Sequence, residues 1–152
     1  MGAFLIHTLP GLIIGAFWSL GCLFAIAKGD QIERWGGVFL LVAWLMSLLT
    51  RATTGVQESA LIILAIDIVS VFFLGALAWK STRAWPVWAT ALQSIAAATH
   101  IAYALDLRIS VYAYMAVQNL AAYGVIGALI VGSWMAWRER EALKPPTDMF
   151  GV

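Results

Sequence analysis

Residues 61–105 read LIILAIDIVSVFFLGALAWKSTRAWPVWATALQSIAAATHIAYAL. Two apolar runs, 61–79 and 85–105, flank a short basic turn, Lys80-Ser81-Thr82-Arg83. About 20 apolar residues at a rise of about 1.5 Å each carry a helix across the hydrocarbon of a bilayer, and both runs approach that length. The first run holds one carboxyl group, Asp67; the second holds Gln93, Thr99 and His100. An ionisable group inside such a run costs about 2.5–3.5 kcal/mol on insertion scales, so a partner for Asp67 is expected on a neighbouring helix. This helical hairpin sets the expectation for the rest of the chain.

The whole composition agrees with it. Of 152 residues, 62% are hydrophobic and 11% are charged, against about 25% charged in soluble domains. Mean hydropathy is +0.89. A soluble core cannot hide so much apolar surface, so lipid is the expected solvent. A net charge of +1 gives no electrostatic footprint for nucleic acid. The single cysteine, Cys22, excludes an internal disulfide. Two histidines with no His/Cys cluster give no reason to expect a bound metal.

Outward from the hairpin, the pattern predicts five spans, at about 3–27, 35–50, 60–79, 84–105 and 109–137. The expected fold is therefore all-α: a polytopic five-helix transmembrane bundle over 1–144, with an extended cytoplasmic tail at 145–152 after Pro145-Pro146. The first span lacks the basic start of a secretory leader and is read as a retained membrane helix. Residues 28–34 and 51–59 read as polar loops, and 106–108 as a tight turn. Lys28, Arg34, Lys80, Arg83, Arg138, Arg140 and Lys144 fall on one side of this threading, and only Arg51 and Arg108 on the other. Seven against two predicts an N-out, C-in orientation. Trp35, Trp79, Trp85, Trp88, Trp134 and Trp137 gather at the basic boundary, as an interfacial belt would.

The candidate chemistry is sparse. Gln93, Ala96, Ala97, His100 and Ala104 share one helical face, and its small residues suit a central helix. Ala60, Ile63, Asp67, Ser70 and Leu74 form a stripe on the third span; Tyr112, Ala116, Asn119, Tyr123 and Gly127 form one on the fifth. Counted from the outer boundary, His7 and His100 lie roughly 6–8 Å deep, Asp67 roughly 10–12 Å and Asn119 roughly 15 Å. Asp67, Gln93, His100, Tyr112 and Asn119 are thus expected to form an intramembrane polar cluster. Such a cluster serves as helix–helix glue or as a proton relay. His7 and His100, at one depth on two helices, also have the spacing of axial ligands to haem, or of a single ligand to a chlorophyll-type pigment. Gly11, Gly15 and Ser19, and again Gly124, Ala128 and Gly132, recur every four residues, which predicts close helix packing.

No catalytic residues are expected, because no GxSxG or equivalent nucleophile motif occurs. Arg138-Glu139-Arg140-Glu141 reads as a solvated helix end. These features lead first to a small non-enzymatic integral membrane subunit that packs against, assembles or stabilises a larger membrane complex. Its expected partners are the lipid bilayer and other membrane proteins or copies of itself, in a bacterial cytoplasmic (inner) membrane. Two further expectations stand beside this one: a proton-coupled small transporter or channel using Asp67 and His100, and a haem- or pigment-binding protein using His7, His100 or both.

Overall fold

The structure of the chain is a computed structural model. It describes the backbone of residues 2–53, 56–105 and 108–143, and the side chains of 14–53, 60–105 and 108–143. Five helices follow one another: α1 (Gly2–Lys28), α2 (Gln31–Thr53), α3 (Val56–Lys80), α4 (Trp85–Leu105) and α5 (Val111–Ala142). No strand occurs among the described residues. The expected tail at 145–152 and the first two residues of the turn at 106–108 lie outside them.

α2 begins four residues before the expected start of the second span, so the polar loop at 28–34 contracts to Gly29 and Asp30. The reason is a helix-start device. Asp30-Gln31-Ile32-Glu33 has the spacing of a capping box, and the Glu33 carboxylate (Oε2) accepts the Asp30 backbone N–H at 3.0 Å. The Asp30 side chain is turned to arginines instead, as described below. At its other end α2 runs through Arg51 to Thr53, past the expected limit of 50. At the start of α5, Ser110 caps the helix by accepting the Ala113 N–H at 3.1 Å.

Each helix packs on its neighbour in sequence, α5 returns against α1, and α2 touches α5 across the ring so formed. α4 lies between α3 and α5 only, so the central helix is α5 and not the expected fourth span. The core is formed by Trp18, Cys22, Ala25, Leu40, Leu74, Trp85, Ala89, Val125, Ile126 and Leu129. Trp85 is the more buried of its two tryptophans, at 4% exposed. It fits because two glycines face it: a Cβ at Gly36 would lie 2.5 Å from the ring, and one at Gly132 would overlap it. Trp85 therefore leaves the expected interfacial belt, while Trp35, Trp79, Trp88 and Trp134 are exposed and Trp137 is half-buried. Lys28 lies over the Trp137 ring at 5.5 Å and Arg138 over Trp134 at 5.0 Å.

The outer surface is apolar, with Phe72, Leu120, Leu61 and Leu20 all widely exposed. Water-soluble monomers rarely present contiguous apolar surface on this scale. Gln31–Thr53, Ala60–Lys80 and Val111–Ala142 are each long and apolar enough to cross a membrane. α4, also expected as a span, falls outside that set: Gln93, Ser94, Thr99 and His100 interrupt its apolar run, and these residues bring α4 its chemistry.

Candidate functional site: a polar cluster shared by α3, α4 and α5

Asp67 projects from α3 beside Ile63, Ser70 and Leu74, the buried members of the expected stripe. The facing surface of α4 carries Ala96 and Ala97, both buried, and their small side chains let the two helices approach. Asp67 meets two partners there. Gln93 donates through Nε2 to Oδ1 at 2.8 Å, and His100 Nε2 lies 3.1 Å from Oδ2. The side chains of Asp67 and His100 are 16% and 10% exposed. His100 continues the chain: its Nδ1 is 2.8 Å from the Tyr114 hydroxyl of α5.

One assignment of hydrogens satisfies every member. The Tyr114 O–H donates to Nδ1, the Nε2–H of a neutral imidazole donates to Oδ2, and the Gln93 amide donates to Oδ1. An imidazolium at His100 would instead donate from both nitrogens, to Asp67 and to the Tyr114 oxygen. Tyr103 stacks on Tyr114, with ring centroids 4.6 Å apart, and the His100 ring meets Tyr114 edge-on at 5.4 Å. Gln118 ties α5 to α4 a turn deeper by donating to the Ala96 carbonyl at 3.0 Å. The arrangement can hold one proton on the Asp67–His100 pair, either as carboxylate and imidazolium or as carboxylic acid and imidazole.

The fifth-span stripe expected to join this cluster does not. Tyr112, Ala116, Asn119 and Tyr123 are exposed, and Tyr112 is 87% exposed. Tyr114 and Gln118 occupy the inward face in their place. α5 is apolar on all sides, so a regular stripe at i+3 and i+4 spacing exists on the wrong face as well as the right one. Nothing in the α5 pattern ranks Tyr114 above Tyr112.

His100 has both ring nitrogens engaged, so neither is open to a haem iron or a pigment metal without loss of the Asp67 or Tyr114 contact. His7 lies outside the residues with described side chains. Among the described residues no three His, Cys, Asp or Glu converge as a metal site.

The small-residue faces meet this chain's own helices. A Cβ on Gly15 would lie 3.1 Å from Trp44 of α2, and one on Gly124 would lie 2.6 Å from Leu92 of α4. Gly132 accepts Trp85, Ala128 packs against the core, and Ser19 is half-buried. The side of Gly11 is outside the described set. The bundle itself uses these faces.

A second polar cluster, absent from the sequence reading, closes the basic end. Glu33 is fully buried. Its Oε1 accepts the Trp85 indole N–H at 3.0 Å and lies 3.4 Å from Arg83 Nε. Arg83 also pairs at 3.0 Å with Asp30 and at 3.0 Å with Glu139, and Arg140 pairs with Asp30 at 3.0 Å and donates to the Lys28 carbonyl. Glu139 and Arg140 are thus tied back to two turns while remaining exposed, so the expected solvated helix end is also an anchored one. The available signal was the Asp30-x-x-Glu33 capping spacing, which marks 28–34 as a helix start. This network joins the α1–α2 turn, the α3–α4 turn and the end of α5. A concavity of about 550 Å3 at the same end, between Thr82, Trp88, Gly127, Val131 and Glu139, does not include any residue of the Asp67 cluster.

Searches against protein-family models, curated proteins and solved structures find no match for this chain.

Proposed function

We propose that this is a small integral-membrane protein of the proton-coupled class, threaded five times with N-out and C-in orientation, whose working element is the Asp67–His100 pair. One observation carries the reading: the hydrogen-bonded series Gln93–Asp67–His100–Tyr114, drawn from three helices and set among apolar spans. Intramembrane carboxyl and imidazole groups in contact are the parts from which proton relays are made. Gln93 and Tyr114 hold the pair in register while the proton resides on one partner or the other. The orientation rests on the basic residues, since Lys28, Arg34, Lys80, Arg83, Arg138 and Arg140 lie at helix ends that the Asp30–Arg83–Glu139 network gathers together.

The competing account is that the cluster only glues helices together, where such bonds contribute well under about 2 kcal/mol each. Proton uptake by the purified protein between pH 5 and pH 8 separates the two. The proton-coupled reading expects the wild type to bind about one proton more than the Asp67→Asn/His100→Gln double variant, which keeps hydrogen-bonding side chains at both positions but has neither titratable group. Far-UV circular dichroism checks that the variant is folded. Identical titration curves for the folded double variant and the wild type would leave the cluster as glue.

A further inference from the structure

We infer that the Asp67–His100 pair exchanges its proton with one face of the membrane only, the face that carries the α2–α3 and α4–α5 connections. The inference rests on the proton-binding reading above and adds a side to it.

Towards that face the way is short and polar. His100 lies five residues before the end of α4 at Leu105, about 8 Å of helix. The groups facing the pair there are Tyr103 on α4 and Tyr114 on α5, with Arg51 of α2 as the charge acting on Tyr114. Ser110, at the start of α5, is exposed.

Towards the basic end the path is dry. Gln93 and Trp85 are separated by eight residues of α4, about 12 Å. That interval is filled by Leu74, Ala89, Val125, Ile126 and Leu129, none of which has any exposed surface. The hydroxyls nearby are occupied by their own helices: Ser70 bonds the Ile66 carbonyl, Thr90 the Pro86 carbonyl and Ser133 the Leu129 carbonyl. In the same core the indole N–H of Trp18 finds no acceptor among the described residues. A proton moves between groups in hydrogen-bond contact, and a gap several times that length, lined by apolar groups that do not hold water, interrupts the movement. Beyond the gap, the carboxylate of Glu33 is committed to Trp85, Arg83 and the Asp30 N–H.

The test uses the full chain, carrying isotope-labelled histidine, in membrane vesicles of right-side-out and inside-out orientation. The His100 ring resonances, assigned by their loss in His100→Gln, are followed while the pH of one compartment is stepped from 5 to 8. The expected result is a titration that follows the compartment facing Thr53 and ignores the compartment facing Ser81. Resonances that follow the Ser81 side, or both sides, overturn the one-sided access and leave proton binding intact. Resonances that follow neither side overturn proton binding, and the access with it.

Discussion

Glu33→Ala tests the least expected part of the structure, the buried carboxylate at the basic end. Three losses follow from its contacts. The Asp30 N–H loses its capping acceptor at 3.0 Å, which costs about 1 kcal/mol for a typical helix start. The Trp85 indole N–H, held at 3.0 Å in a buried site, is left without its acceptor, at about 1–3 kcal/mol. Arg83 keeps two carboxylate partners, Asp30 and Glu139, each at 3.0 Å, so its charge stays compensated and its share is small beside the other two. The expected loss is about 2–4 kcal/mol. A cycle with Trp85→Phe isolates the Glu33–Trp85 contact: once the indole N–H is gone, Glu33→Ala leaves no buried donor stranded. The double variant should then be less destabilised than the sum of the singles by about 1–2 kcal/mol. The assay is unfolding in mixed micelles with a rising fraction of denaturing detergent, followed by far-UV circular dichroism, because tryptophan emission changes when Trp85 is replaced. A loss below about 1 kcal/mol for Glu33→Ala, or additivity within about 0.5 kcal/mol, would refute the buried contact.

The same unfolding assay distinguishes two glycines of α5. Gly132→Ala forces a Cβ into the Trp85 ring and should cost about 1–3 kcal/mol, whereas Gly127→Ala meets nothing within 4 Å and should be neutral or gain up to about 1 kcal/mol. Equal tolerance at both sites would mean that Trp85 is not seated between α2 and α5. Threading is tested by thiol labelling in intact cells, where buried Cys22 does not compete. A cysteine at Thr53 should react with a membrane-impermeant reagent and one at Ser81 should not; the opposite pattern reverses the orientation.

Composition and run length alone pointed to a helical chain with helices long and apolar enough to cross a membrane. Apolar runs bounded by Lys, Arg, Gly and Pro can only become helices in lipid, because every backbone polar group must be satisfied within its own segment. The one acid in the middle of an apolar run, Asp67, pointed in the same way to a partner, and α4 supplied the Gln93 and His100 already visible in its sequence. What the pattern did not contain was direction. Lipid and protein core are both apolar, so a helix such as α5 has no hydrophobic contrast around its circumference to say which face turns inward. Tyr112 and Tyr114 are equivalent on that pattern, and only packing against α4 brought Tyr114 to His100 and left Tyr112 outside. Trp85 was likewise indistinguishable from the interfacial tryptophans until Gly36 and Gly132 were brought to its ring from two other helices. The capping spacing at Asp30 and Glu33 was local and legible, but the partners it serves, Arg83, Trp85, Glu139 and Arg140, are between 50 and 110 residues away. Their meeting depends on how the turns at the basic end stack, which is a property of the assembled bundle and not of any one segment.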